Sequence, residues 1–322
     1  MIKKIILAVT FAGIFVITFA AGVGFIILGE GDFSWDIVSQ YVSMSDVAKI
    51  NDTPISNLFS FSDHSEYLGT HAEGQIGCPT ENGTIIFENI AEEITVTSSP
   101  DEYIHLTVDG KLRASSIVKS SKTLTGKNVP DIQFEFNEST DEATIKIRKL
   151  RGKDIEMQLA IPAGYAGNIK LDKIAGKMNV TVPLNLASME IEDAAGTIVM
   201  KGVSANTLEL EKIAGKTDLS AGTFSQLTVK DSAGKVNVSG SIGGFKIDNI
   251  MGNIKLDSET ALTSDCKIVK IMGTVDIKLP EKSKFKLSKK DIVGIVTPLS
   301  GDKKADHTIT VENIVGKVSI ER

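Results

Sequence analysis

Cysteine, histidine and tryptophan are almost missing from this 322-residue chain, which holds two Cys, four His and one Trp. Cys78 and Cys266 stand too far apart and in too unlike surroundings to form a disulfide framework. Aromatic residues make up only 6%, so a sugar-cleaving cleft would have few side chains to stack on. Positive charge is also in deficit, with a formal net charge of −6. Setting aside Lys3 and Lys4, 33 of the 35 Lys and Arg remain against all 41 Asp and Glu, a balance that leaves no electrostatic footprint for nucleic acid. What is plentiful is glycine, 28 residues, together with Val, Ile, Thr, Ser and Asn. That mixture favours many short strands joined by tight turns.

One stretch departs from this pattern. After Met1-Ile-Lys-Lys the chain is uncharged from Ile5 to Leu28, 24 residues. As a helix it would span about 36 Å against a hydrocarbon core of about 30 Å. Residues 29–48 carry no Lys or Arg but include Glu30, Asp32, Asp36 and Asp46, so the positive-inside rule leaves the N-terminus in the cytoplasm and everything else outside. Ala20, Ala21 and Gly22 offer the small residues of a cleaved signal, yet the apolar run continues six residues past them, and an uncleaved signal-anchor is the expectation. From Gly29 to about Gly77 the pattern weakens into a connector with one short helix expected over Asp36 to Val47.

From Gly83 onward strands take over: Thr84 to Phe87, Ile94 to Thr97, Tyr103 to Val108, Ile132 to Phe136, Thr144 to Ile147 and Ile155 to Ile161. Turns are expected at Val108-Asp-Gly-Lys and at Asn137-Glu-Ser-Thr-Asp-Glu. The next stretch repeats a phrase, D-K-I-A-G-K-M-N-V around Gly176, at Gly196, Gly215, Gly234, Gly252, Gly273, Gly294 and Gly316. The steps between these glycines are 20, 19, 19, 18, 21, 21 and 22 residues, the mark of one unit stacked on copies of itself.

Aligning the glycines shows what is buried. Seven residues earlier every unit is apolar: Ile169, Met189, Leu208, Leu227, Phe245, Cys266, Leu287 and Ile309. Alternation before and after the glycine makes each unit strand, corner, strand. The glycine at the corner supplies either a positive φ or a close backbone approach. A two-strand unit cannot bury its apolar face alone, so units stack in parallel at about 4.8 Å per coil. Three residues before the glycines stand Lys173, Asp193, Lys212, Asp231, Asn249, Lys270, Asp291 and Asn313, and no two neighbours repeat a sign, as a charge ladder between consecutive coils requires. The faults are Lys289, Thr217 and Pro298 at usually apolar positions, and Pro298 with Leu299 to His307 loosens the seventh coil.

The recurring I-A-G-K phrase at Gly176, Gly215 and Gly234, its variant N-I-M-G-N-I-K-L at Gly252 and the single N-terminal anchor resemble the bacterial putative-adhesin family, a domain of unknown function. The resemblance covers roughly residues 80–322. It implies a right-handed β-helix-like stack on a cell-envelope protein, in some relatives linked to envelope-stress signalling, and brings no catalytic residues with it.

The chemical candidates are weak on their own terms. His64, His71 and Cys78 have an H-x6-H-x6-C spacing wider than structural zinc favours, and ordinary loop residues are the better reading. Cys266, at an inward position, reads as a small buried hydrophobe. Gly215-Lys-Thr lacks the upstream glycine of a phosphate loop, and Gly240-Ser-Ile-Gly-Gly sits in a turn between strands. Acids near the corners, Asp172, Glu192, Glu211, Asp248 and Glu312, are interleaved with lysines, which argues against a calcium ladder. A polysaccharide lyase or hydrolase would need stacking aromatics, and beyond residue 163 there are only Tyr165, Phe224, Phe245 and Phe285.

The sequence therefore predicts an all-β protein: a single-stranded right-handed β-helix or β-solenoid with coils of about 20 residues, preceded by one transmembrane helix. Its segments are a signal-anchor (1–28), a membrane-proximal connector (29–79), an irregular β capping segment (80–162) and the solenoid repeats (163–322). The expected role is a non-catalytic surface-binding, adhesion or scaffold module on the cell membrane, without cofactor or metal, facing envelope proteins or cell-wall polymer. The alternative is a regulatory partner of a membrane stress-sensing system.

Overall fold

The structure, a computed structural model, describes residues 67–113, 132–147, 152–298 and 300–322. The expected membrane helix, the short helix over Asp36 to Val47 and most of the connector lie outside the described residues. The chain divides into two units, Met1–Asp63 and His64–Arg322, and the second is the subject below. Among the described residues no helix is long and apolar enough to cross a membrane, and every regular element is a strand.

Alternating apolar residues form these strands. The first eight are β1 (Tyr67–Gly77), β2 (Thr84–Glu88), β3 (Glu93–Ser98), β4 (Tyr103–Arg113), β5 (Ile132–Asn137), β6 (Glu142–Ile147), β7 (Gly152–Ile161) and β8 (Asn168–Asp172). Next come β9 (Lys177–Val180), β10 (Leu184–Glu192), β11 (Thr197–Lys201), β12 (Val203–Glu211), β13 (Lys216–Lys230), β14 (Lys235–Ile242), β15 (Phe245–Ile250) and β16 (Asn253–Ser258). The last six are β17 (Cys266–Ile271), β18 (Thr274–Lys278), β19 (Lys286–Ile292), β20 (Ile295–Thr297), β21 (Thr308–Ile314) and β22 (Lys317–Glu321). Two sequence expectations change here. Tyr67–Gly77, assigned to the connector, is a strand paired antiparallel with β4 along its whole length. The turn expected at Val108-Asp-Gly-Lys is absent, because β4 runs through it with a register shift against β7 between Asp109 and Lys111.

Coils stack in parallel, in register and with like residues in columns. Met189 lies beside both Ile169 and Leu208, and Leu227 beside Phe245. The order of stacking, however, departs from the order of the sequence at both ends. β2 and β3 form a coil directly against β8 and β9, with Ile85 beside Ile169, and β6 and β7 lie outside it, with Ala143 beside Ile85. At the other end β21 and β22 stack on β17 and β18, with Ile309 beside Cys266. The earlier pair β19 and β20 is pushed outermost, with Leu287 beside Ile309. The expected capping segment thus contributes two full coils, and the seventh and eighth repeats exchange places. Long connections make this possible, since residues 279–285 and 298–307 can pass one coil by, whereas one to three residues join β9 to β10, β11 to β12 and β14 to β15.

The corner resolves the alternative left by the sequence. The repeat glycines have no positive φ; the left-handed residue is the one three positions earlier, from Lys173 (φ 56) to Asn313 (φ 55). The glycines answer a close approach instead. A Cβ built on Gly196 would overlap the carbonyl oxygen of Gly176, and the same holds along Gly215, Gly234, Gly252, Gly273, Gly316 and Gly294, each against the coil before it in space. Corner amides bind the coils together: Ala195 and Gly196 N–H both donate to Ile174 O at 2.9 Å, and Thr197 N–H donates to Gly176 O at 2.9 Å. The apolar columns fill the interior, with Phe87, Phe224, Phe245 and Phe285 among the largest fully buried side chains.

Candidate functional site

Ion pairs between neighbouring coils run along the lateral surface. Lys170 Nζ lies 2.8 Å from Glu190, Lys212 Nζ 2.8 Å from Glu192 and Lys146 Nζ 2.7 Å from Glu88, each pair joining neighbouring coils. One region differs. Where β10, β12 and β13 bend, short ladders put Asn185 beside Ser204, and Thr223 N–H donates to Ser204 Oγ at 2.9 Å. On the next outward positions stand Ala187, Asn206 and Ser225, and Ala187 N–H donates to Ala166 O at 2.9 Å. Small polar side chains at two successive outward positions per coil leave an open groove of about 490 Å³ in which Glu81 is the sole ionisable lining residue.

A second groove of about 450 Å³ adjoins it, sharing Glu81 and Ala166, and brings in Glu102, Tyr103 and Tyr165. Tyr165 belongs to the floor: it is 5% exposed, and its hydroxyl lies 2.8 Å from Asn168 O and 3.0 Å from Gly83 O. Burial pushes its pKa above the usual tyrosine range. Tyr103 is the wall. The residue is 40% exposed while its backbone is fixed at both ends, the N–H donating to Asp101 Oδ1 at 2.9 Å and the carbonyl accepting from Ser99 Oγ at 2.8 Å. His105, 2.7 Å from the same carboxylate, holds Asp101 below the usual range, with the Tyr103 N–H adding to the effect. A partly exposed aromatic face suits a ligand with an apolar face of its own.

The residues singled out by sequence fall elsewhere. The eight repeat glycines run along the corner and line neither groove. Cys266 is 3% exposed, and burial pushes its thiol up to about 12. Cys78 borders the second groove, half-buried, and desolvation followed by the Asp141 charge raises it to about 11, so it stays a thiol at neutral pH. His64 lies outside the described residues, and among those residues no three His, Cys, Asp or Glu gather as a metal site. The corner acids Glu192 and Asp248 engage Lys212 and Lys270. Tyr103 was missed by the sequence reading, which sought sugar platforms only beyond residue 163; its signal was an aromatic at the start of a strand just after an Asp-containing turn.

A family model, Toastrack DUF4097, matches residues 83–321, nearly the whole of the strand-forming region. The chain belongs to the Toastrack DUF4097 family. This is the domain of unknown function expected from the resemblance. Among solved structures similar to this Toastrack chain, a putative adhesin from Bacteroides fragilis shares 13% identity over 79% of this chain and 97% of its own, with a TM-score of 0.48. A putative cell adhesion protein from Clostridium sporogenes shares 12% identity over 79% and 99%, with a TM-score of 0.26. A putative lipid binding protein from Parabacteroides distasonis shares 11% over 80% and 98%, with a TM-score of 0.35. No curated protein matches the chain.

Proposed function

We propose that this Toastrack protein is a non-catalytic binding module, held in the cell membrane by a helix over residues 1–28 and displaying its stack outside, where the side groove takes a neutral, extended polyhydroxylated chain such as a cell-wall glycan. The observation that supports the reading is the charge-poor groove with Asn185, Ser204, Asn206, Thr223 and Ser225 along it and the exposed Tyr103 at one end. Amide and hydroxyl groups offer both donors and acceptors, which neutral sugars match and ions do not. Stacked parallel strands hold these groups in place before binding, so little ordering is required of the protein. The two acids at the Tyr103 end, Glu81 and Glu102, serve as acceptors for ligand hydroxyls.

The test is co-sedimentation of the full chain, in detergent micelles, with insoluble cell-wall polymer. Retention is expected, with Tyr103→Ala and Asn206→Lys each weakening it about tenfold, the equivalent of about 1.4 kcal/mol for a lost aromatic contact or a blocked groove. No retention of the natural chain, or retention that both substitutions leave unchanged, overturns the proposal.

A further inference from the structure

The outermost coil at the β19–β20 end differs from the rest of the stack in three ways that point the same direction. First, its edge is open. β19 pairs with β21 and β20 with β22, and among the described residues no strand covers their other edges. The corner hydrogen bonds are polar: each coil donates backward from its amides and accepts forward at two carbonyls. Val293 and Gly294 donate to Ile314 O, and Ile295 donates to Gly316 O at 3.0 Å. The corresponding carbonyls of the last layer, on Ile292 and Gly294, therefore face outward, where a further layer would donate to them. The chain itself lies against the start of the edge, Asp302 N–H donating to Phe285 O at 2.8 Å and Gly301 packing on Lys286 and Leu287, and Lys289 Nζ donates to Pro298 O at 3.3 Å.

Second, three of the four exposed large apolar residues among the described residues gather here: Val293 (70% exposed), Ile295 (59%) and Val315 (62%). Third, the charge reverses. Between Lys278 and Lys304 eight lysines face three acids in a chain whose net charge is −6. Among the described residues, Lys170, Lys212 and Lys230 in the body of the stack are ion-paired while Lys201, Lys235, Lys246 and Lys255 stand singly, and at this end none of the eight forms a salt bridge.

Lysines and a proline on an edge strand are a known guard against pairing with another copy, because like charges repel. The guard is selective, however: it refuses a second basic edge and attracts an acidic one. We infer that this end of the stack is a docking edge for an extended acidic polypeptide segment of a partner protein, which adds one more layer by strand addition. The backbone supplies the register through the Ile292 and Gly294 carbonyls, Val293 and Ile295 supply apolar contact, and Lys286 and Lys290 select acidic side chains. An anionic lipid or polymer would satisfy the lysines but has no amide donors at strand spacing for the carbonyls.

The experiment uses the full chain in phosphatidylcholine nanodiscs and a labelled nine-residue peptide of alternating Glu and Val, followed by fluorescence anisotropy. Saturable binding is expected, weakened by salt, at least tenfold weaker for Lys286→Glu with Lys290→Glu, and lost when alternate peptide nitrogens are methylated. Tyr103→Ala, in the side groove, leaves it unchanged, so failure of the groove proposal and of this one are told apart. Four results overturn the inference: no binding; equal binding of the methylated peptide; binding of phosphatidylglycerol vesicles in place of the peptide; or self-association of the natural chain that the charge reversal abolishes.

Discussion

Gly215 and Thr217 stand two residues apart and carry opposite expectations. A methyl group on Gly215 would overlap the Gly196 carbonyl, and the backbone cannot move aside, because Gly215 N–H donates to Ala194 O at 3.0 Å and Lys216 N–H to Gly196 O at 2.9 Å. Gly215→Ala should cost about 2–3 kcal/mol, as forced overpacking does, while Gly164→Ala, with nothing within 4 Å of the new methyl, should be close to neutral. Thr217 occupies an inward column between Ile198 and Val236, fully buried, and its hydroxyl has no partner among the described residues. Thr217→Val keeps the shape and removes the unpaired hydroxyl, a gain of about 1–2 kcal/mol. Urea midpoints of the three variants should fall below, match and exceed that of the natural chain, in that order. Equal shifts would mean that neither corner nor column governs stability. The residues three before each glycine read differently in structure than in sequence: their left-handed backbone costs a lysine about 1–2 kcal/mol, and their charges pair only in part. Lys173 turns to its neighbour Asp172 at 2.7 Å, and Lys212 reaches Glu192 at 2.8 Å but Asp193 only at 3.9 Å.

The coils were legible wherever a glycine marked the corner. The first coil escaped because Glu92 stands where the others have glycine, although Ile85, Asn89, Ile90 and Ile94 keep the rest of the phrase. On the next coil it is Gly176 that clears the carbonyl of Glu92. Order in the stack was not legible at all, since any coil in register offers the same columns and only connection length allows an exchange. That exchange explains Lys289: at a usually apolar position it is tolerable on the outermost coil, where it is half-buried and its Nζ donates to Pro298 O at 3.3 Å. The groove left no periodic signal, because outward polar positions vary freely. Coil-to-coil ion pairs also set a pH response. Hydrogen bonds from Lys146 and Lys212 hold Glu88 and Glu192 below their ordinary 4.5 in the folded chain. Carboxyls depressed by folding stabilise above the unfolded pKa and lose that contribution as pH falls through the folded one. The urea midpoint should hold steady from neutral pH to about 5 and decline below about 4.5, with a shallower decline in Lys146→Met combined with Lys212→Met; a midpoint that rises on acidification would contradict this.

The stack is asymmetric from end to end. One end is closed by antiparallel strands, β4 against β7, β1 against β4 and β5 against β6; the other ends on the open basic edge of β19 and β20. Such a body offers two kinds of surface, a charge-poor groove along its side and a basic edge at one end, and in the proposed role both meet partners on the same side of the membrane. The reading of a surface-binding Toastrack protein therefore rests on its display. The most direct measurement is protease accessibility on intact cells, with a tag at the C-terminus and a membrane-associated N-terminal fragment followed by size. The account predicts that the tag is removed from outside while a small N-terminal fragment stays in the membrane. A tag that remains protected until the cells are lysed would contradict it.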